Sequence, residues 1–522
     1  MLPAYLGSVV RAAEAPAIAA AAAVGDPDRY ISRAGHGLAA LILRHLGAAG
    51  MPAPHVPGAL APRAEVLALA GTGVRGRRIV AAVGPGNNGA DGLAALALLA
   101  RRGAHATAVL LTDRHHNAAA GRLKTAGGRV LASGSAEAAR AVSRADVVID
   151  AALGTGASGG LPWDEAGRVP PAAWRLACDV PSGLDADAGG ADEHVPRADT
   201  TVTFGALKTG LLLGAGRALA GAVHLVELPG LLDPALLGEP ALSVLGETEA
   251  MDSVLSPRPG DHKYTHGVLG LVAGSPAYPG AAVLAAHAAL ATGVGMLTAF
   301  TRGTARLTFT GAVPEAVVAR RGDAPDGPAA AKVAAWLVGP GLGEEPEDLS
   351  AARRVLATAL PAVVDASALA VVDPAASHAP WILTPHAGEL RAVARRLGAD
   401  WPDPLTRPLA AATAAARELG AVVLLKGSTT LVAAPDGTVL AACSAGPKLA
   451  VAGSGDTLAG LLGALLATHA ARATAEGRAL GAHELQRLAA AGAVLHGLSA
   501  RHAPGRGAEP LAAGLRAVLG GP

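Results

Sequence analysis

Two successive series of short, unbroken apolar runs, interleaved with Ala-rich helical stretches, leave this chain little choice of architecture. The first series reads RIVAAVG, ATAVLL, DVVIDAAL, RLACDV, TTVTF and VHLVEL between Arg78 and Leu228. Half-exposed antiparallel strands would alternate apolar with polar residues, whereas continuous runs suit parallel strands covered on both faces. Helical segments such as Gly92 to Arg102 lie between them, which predicts a Rossmann-like, doubly wound α/β domain. The residues before the first run would add helices against it. A second series follows: GVLGLVAG, MLTAF, EAVVAR, AWLVGPG, AVVDAS, WILTPH, AVVLLKG and TTLVAA. It predicts a second α/β domain. Between the two, LPGLLDPALLGEP and SPRPGD interrupt the pattern. The boundary is placed near residue 245, with one domain over 1–235, a linker over 236–254 and the other domain over 255–522.

Aromatic residues make up only 2% of the chain against 51% hydrophobic, so both cores must be built from Ala, Val and Leu. With 43 Lys+Arg against 42 Asp+Glu there is no basic surplus, and no nucleic-acid partner is expected. Cys178 and Cys443 sit far apart and outside any CxxC, which speaks against a disulfide framework or a zinc site. The HxxxH spacing of His262 and His266 is followed by no third ligand. No uninterrupted apolar stretch reaches the roughly 18 residues of a membrane span. The N-terminal stretch, interrupted by Arg11 and Glu14, reads as an Ala-rich helix rather than a signal peptide. A cytoplasmic protein with no membrane partner is expected.

The sharpest local signal is Gly84-Pro-Gly-Asn87-Asn88-Gly89-Ala90-Asp91-Gly92, directly after a strand and opening a helix. Glycines there admit a ligand close to the backbone, and a helix start offers unpaired N–H groups to an anion. The segment also fits GxGxxG with Asp113 beyond the next strand, so an ordinary Rossmann cofactor site is an alternative. Paired asparagines and a carboxylate suit ribose, amide or cation contacts better than a bare pyrophosphate. Two later strand ends carry Asp150 with Gly154-Thr155-Gly156, and Asp179 with Ser182. Ligands of open parallel sheets sit outside the carboxyl ends of the strands, so these carboxylates should converge with Asn88. Oxygen-only donors favour a hard cation. The competing reading makes Asp150 and Asp179 mere turn or helix caps.

GPGNNGADG, VVIDAALGTG, CDVPSGLDAD and TVTFGALKTGLLLG together resemble the NAD(P)H-hydrate epimerases. That resemblance implies that Asn87, Asn88, Gly89, Ala90 and Asp91, with Gly154, Thr155, Gly156, Ala157, Ser158, Gly159 and Gly160, bind the hydrated dinucleotide. It implies a potassium ion among Asn88, Asp150, Asp179 and Ser182, and Asp179 as the residue that moves the proton. One departure is Ala90, which stands where the family turn has a second glycine. A positive φ there would cost Ala about 1 kcal/mol or somewhat more.

Near the C-terminus Gly453-Ser454-Gly455-Asp456 precedes the apolar segment TLAGLLGALLATHA. A Gly-rich turn at a helix start can hold a transferring phosphoryl group, and a carboxylate there can accept a hydroxyl proton. Asp456 could equally be a plain N-cap. Upstream, a strand runs into Lys426-Gly427-Ser428-Thr429-Thr430, a cation and hydroxyls where nucleotide phosphates could lie. With HKYTHGVLGLVAGSPAYPGA, VGPGLG, VVDASAL, LTPHAGEL, LLKGSTTLV and AGSGDTLAG, this half resembles the ribokinase-like, ADP-dependent NAD(P)H-hydrate dehydratases. The resemblance implies hydrate contacts from Ala281, Gly341, His386 and Asp456, nucleotide contacts from Lys426, Gly427, Ser428, Thr429, Thr430 and Gly455, and Mg2+ with ADP or ATP. Ser454, Ser367 and Ala370 depart from the family pattern.

The expectation is a bifunctional enzyme, an assembly of identical chains, that recycles the epimers of hydrated NADH and NADPH and dehydrates one of them. The rivals are an NAD-dependent oxidoreductase fused to a ribokinase-like small-molecule kinase, or a dehydratase carrying a non-catalytic binding module.

Overall fold

The computed structural model describes residues 1–47, 73–156, 159–160, 162–376 and 380–520. Contacts divide the chain into two compact units, Pro3–Ala241 and Leu242–Pro522, the latter including Met1–Leu2.

In the N-terminal unit β1 (Arg78–Val83), β2 (His105–Leu110), β3 (Arg129–Ala132), β4 (Val147–Ala151), β5 (Trp174–Cys178), β6 (Thr200–Phe204) and β7 (Ala222–Val226) form one seven-stranded sheet. Its order is β3-β2-β1-β4-β5-β6-β7, and every pairing is parallel. The order reverses between β1 and β4, so a crevice opens there at the carboxyl ends. Three helices matter for the site: α1 (Gly7–Ala23), α2 (Arg29–Gly47) and α3 (Asn87–Arg101). Leu38 and Ile42 of α2 and Leu93 and Leu96 of α3 pack against Ile79 and Ile149 of the sheet in one aliphatic core. Apolar runs announced six of the seven strands. The exception, β3, is an edge strand with both ends exposed, so it carries no such run.

The C-terminal unit holds β8 (Leu242–Val244), β9 (Val268–Val272), β10 (Met296–Thr301), β11 (Val317–Arg320), β12 (Ala335–Val338), β13 (Ala362–Val364), β14 (Trp381–Leu383), β15 (Val422–Leu425), β16 (Thr430–Ala433) and β17 (Val439–Ala442). They are ordered β11-β10-β9-β12-β13-β14-β15-β16-β17-β8. Pairing is parallel from β11 to β15 and antiparallel through the β15-β16-β17 meander. Within the stretch read as a linker, β8 pairs with β17 (Ser243 opposite Leu440) and Glu247–Met251 is helical. Three strand residues between Pro240 and Gly246 are too few to register as an apolar run.

Four helices of this unit bear on the site: α4 (Pro279–Thr292), α5 (Ala387–Leu397), α6 (Ser454–Ala475) and α7 (Ala482–His502). Among the described helices α6 alone has the length and hydropathy of a membrane span, and 72% of its most apolar window is buried. It packs on α4 so closely that a Cβ at Gly460 would stand 2.0 Å from the Ala285 carbonyl oxygen. Small residues are what make this interface.

Arg321 and Asp348 are wholly buried beside β9 and β10. Asp348 forms an ion pair with Arg321 and takes a second guanidinium, from Arg302, through two contacts of 2.7 Å. Arg321 also donates to the carbonyls of Ala273 and Gly274, fixing the turn after β9. Removing one partner of such a pair leaves a buried charge uncompensated. Asp348→Ala should therefore cost about 3–5 kcal/mol of stability, measurable as an earlier denaturant transition.

Candidate active sites

The turn between β1 and α3 is shaped by close approach: a Cβ at Gly84 would fall 1.8 Å from the Ala152 carbonyl oxygen. The segment after β4 is thereby brought against the start of α3. Asn88 Nδ2 donates to the Leu153 carbonyl at 2.8 Å, and the buried Asn88 Oδ1 has no hydrogen-bond partner among the described residues. Ser182 Oγ accepts from the Leu153 N–H at 2.8 Å and donates to Asp150 Oδ1, while the Ser182 N–H donates to Asp150 Oδ2 at 2.8 Å. Burial pushes the Asp150 carboxyl above its ordinary range, against the lowering effect of the Ser182 and Ala152 donors. Asn88, Asp150 and Ser182 thus form one group of oxygen-bearing side chains.

Asp179 is not in that group. It adopts a left-handed backbone conformation (φ 67°), and its Oδ1 accepts from Lys208 Nζ at 2.6 Å, Thr203 Oγ1 at 3.1 Å and the Phe204 N–H at 3.3 Å. An ammonium stands where a cation bound to that oxygen would be. Of the four expected potassium ligands, the structure thus groups Asn88, Asp150 and Ser182 and sets Asp179 Oδ1 on Lys208. Lys208, only 1% exposed, also donates to Thr203 Oγ1 and to the Phe204 carbonyl.

A cavity of about 660 Å3 lies over this crevice, lined by Asn87, Asn88, Asp91, Gly154, Thr155, Gly156 and Asp179, with Arg11, Glu14 and Tyr30 from α1 and α2. Gly89 and Ala90 do not line it. Gly89 packs against the Gly84 carbonyl, and Ala90 is fully buried inside α3. Gly159 and Gly160 are not cavity residues either, Gly160 lying against His194. Ala157 and Ser158 fall outside the described residues. Burial, with the negative charges of Asp179 and Glu14, holds Asp91 well above the usual carboxylate range. Burial likewise raises Glu14 to about 7, Lys208 opposing and Asp179 assisting. Sequence reasoning passed over Glu14 and Lys208. The signal available was an acid in an Ala-rich helix and a rare lysine directly after a strand.

In the C-terminal unit the N-cap of α6 is Gly453, in a left-handed conformation (φ 87°), and Asp456 lies one turn in. Asp456 is thus not the cap. Burial foremost, and the nearby Asp365, push its carboxyl up to about 6 against the pull of Lys426. A Cβ at Gly455 would stand 3.6 Å from Lys426 Nζ, so this turn and the end of β15 adjoin. Lys426 is not a free cation. Its Nζ lies 2.8 Å from Asp365 Oδ1 and 3.6 Å from Glu389 Oε2. Burial opposes its charge, but these two carboxylates outweigh that and hold it above its ordinary value.

Gly427, Ser428 and Thr429 form the turn from β15 into β16, where Thr430 begins. Ala281 and Gly341 meet, since a Cβ at Gly341 (φ 58°) would lie 2.6 Å from that of Ala281. His386 caps α5: its Nδ1 accepts from the Gly388 and Glu389 N–H groups while Glu389 accepts from the His386 N–H. Behind Ser454, a fully buried His496 is pushed down to about 4 by desolvation and stands 3.5 Å from Ser454 Oγ.

A crevice at a doubly wound switch point and a Gly-rich helix start with a carboxylate define a two-domain α/β enzyme. A family model described as NAD(P)H-hydrate dehydratase matches residues 269–511, and one described as YjeF-related protein N-terminus matches residues 28–210. The Bifunctional NAD(P)H-hydrate repair enzyme Nnr of Mycobacterium tuberculosis is 38% identical over 480 residues, 89% of each chain. Its counterpart in Mycobacterium leprae is 37% identical over 483 residues, again 89% of each. Among solved structures, an ADP/ATP-dependent NAD(P)H-hydrate dehydratase from Bacillus subtilis co-crystallised with ATP/Mg2+ is 28% identical, covering 53% of this chain and 98% of its own with a TM-score of 0.46. The chain belongs to the bifunctional NAD(P)H-hydrate repair enzymes.

Because Ala90 sits in helical backbone, it bears no left-handed strain. Restoring glycine there should not help. Ala90→Gly is expected to destabilise the chain by about 0.5–1 kcal/mol, the cost of glycine in a helix interior, read from its unfolding midpoint.

Proposed function

We propose that the N-terminal unit interconverts the R and S hydrates of NADH and NADPH, and that the C-terminal unit uses ADP or ATP to dehydrate the S form. The observation that carries this is Asp456: a partly buried carboxyl in the first turn of α6, next to the Gly453–Gly455 turn and Lys426. Hydration leaves a hydroxyl at C6 of the nicotinamide ring. Hydroxide leaves poorly, water having a pKa near ~15.7. Phosphate is a far weaker base, with a second pKa of about 6. In this reading Asp456 takes the hydroxyl proton as the oxygen attacks the phosphoryl group, and the backbone N–H groups of the Gly453–Gly455 turn receive that group's charge. The ring nitrogen then expels phosphate to leave a C6=N cation, and loss of a proton from C5 returns the electron pair to nitrogen and restores the dihydropyridine.

Two cations fit the residues present. Asp365, Glu389 and Asp456 outnumber Lys426, so nucleotide phosphates need positive charge brought with them. Mg2+ would supply it, with Glu389, the more loosely paired of the two Lys426 partners, as its protein ligand. In the N-terminal unit the unpartnered Asn88 Oδ1 and the desolvated Asp150 carboxyl, with Ser182, would hold K+. That ion would supply fixed positive charge beside the Gly-rich turn. Asp179, kept oriented by Lys208, moves the proton in the epimerisation. An assembly of identical chains acting in the cytoplasm completes the proposal, and sedimentation against the 51.1 kDa single chain checks its first half.

Following both epimers chromatographically, Asp456→Asn should stop nucleotide-dependent loss of the hydrate while R/S exchange persists, and Asp179→Asn should do the reverse. Loss of both activities in either folded variant would refute the division of labour. A base must be ionised to act, so dehydration should rise with pH through about 6 and level off above it. Exchanging K+ for choline should slow epimerisation and leave dehydration unchanged.

A further inference from the structure

Glu14 belongs to no motif that suggested the epimerase site, yet its carboxyl borders that site's reactive end. It projects from α1 and lines the same cavity as Asp91 and Asp179. Its Oε1 lies 3.5 Å from where a Cβ would project at Gly205, and Asp179 Oδ1 accepts from the N–H of the preceding Phe204. Both carboxyls thus adjoin one short piece of backbone. Asp179 is committed to Lys208 and Thr203, whereas no hydrogen bond to a described residue contributes at Glu14. The charged and titratable groups around the cavity are Asp91 from α3, Asp179 and Lys208 from the ends of β5 and β6, Arg11 from α1, Tyr30 from α2 and Arg114 beyond β2. Three carboxyls in reach of one buried ammonium cannot all be ionised at little cost. Asp179 is the one that takes the Lys208 hydrogen bond, and burial raises the other two, Glu14 and Asp91.

Building on the epimerase reading, we propose that Glu14 is a second proton-transfer residue, acting on the C6 oxygen of the bound hydrate in concert with Asp179. Glu14 gives its proton to the C6 hydroxyl as the C6–O bond breaks with its electron pair on oxygen, and water departs. The ring-nitrogen lone pair forms a C6=N bond, and the resulting cation is stabilised by the carboxylates around it. Water then adds to either face of planar C6, the C=N pair returns to nitrogen, and the surplus proton passes to Asp179. One proton has moved from Glu14 to Asp179, and solvent exchange or the reverse reaction returns it. No oxidant or further reactant is consumed.

The test uses the full chain with a single epimer and no nucleotide, following R/S exchange above the spontaneous rate. An acid must be protonated to act, so exchange should be present at low pH and fall as pH rises through about 7. General acid catalysis is typically worth about 10²–10⁴-fold. Glu14→Gln should therefore slow exchange at least ~100-fold and abolish that pH-dependent fall, while Glu14→Asp restores part of the rate with the fall displaced. In 18O-labelled water each inversion should place label at C6. Exchange in Glu14→Gln within a few-fold of the unsubstituted chain with the same pH profile, or inversion without label, would overturn the inference while sensitivity to Asp179→Asn keeps the epimerase reading. If the unsubstituted chain does not accelerate exchange at all, both fall.

Discussion

Parallel strands buried on both faces leave little room for chemistry along their length, and this constraint gathers much of each unit's reactive chemistry at the carboxyl edge of its sheet. Strands such as β1, β9 and β12 are apolar through almost every residue. Many of the site's charged side chains therefore appear as a strand runs out: Asp179 after β5, Lys208 shortly after β6, Asp365 after β13, His386 after β14 and Lys426 after β15. Parallel alignment puts all those ends on one edge of a sheet. Convergence of residues far apart in sequence follows from the strand order alone.

The two sites solve the same electrostatic problem in the same way. Each pairs a lysine with a strand-end aspartate, the buried Lys208 with Asp179 at 2.6 Å and the partly exposed Lys426 with Asp365 at 2.8 Å. Each leaves a further carboxyl desolvated nearby, Glu14 raised to about 7 and Asp456 to about 6. The paired aspartate is oriented by its lysine; the unpaired carboxyl is poised to exchange a proton near neutrality. Environments that push like groups apart are how one fold assigns acid and base roles.

How much of this was legible beforehand depended on whether the signal was local. Continuous apolar runs revealed the buried strands because burial on both faces dictates composition residue by residue. Not among those runs were β3, a short edge strand, β8, only three residues long, and β17, the last strand of the antiparallel meander. The Gly-rich turns at Gly84–Asp91 and Gly453–Asp456 were legible for the same local reason. The partners of the lysines were not. Lys426 reads from the sequence as a phosphate-binding cation, and only the adjacency of β13 and α5 to the end of β15 shows two carboxylates already on it. Asp179 reads as a cation ligand beside Ser182, and only its left-handed backbone turns it toward Lys208 instead.

Ala90 shows the opposite error, in which a local rule is applied where tertiary structure has removed its premise. A glycine-rich turn suggests a position of positive φ, but the turn has already ended there and α3 has begun. What the position needs is a small side chain, because it is fully buried in the aliphatic core with Leu93 and Leu96. Alanine satisfies that need and glycine merely tolerates it. The same logic extends to the aromatic-poor composition: where helices and sheets approach as closely as α6 approaches α4 at Gly460, large side chains would hold the layers apart. The reactive ends are then positioned by backbone proximity rather than by long side chains reaching across a gap.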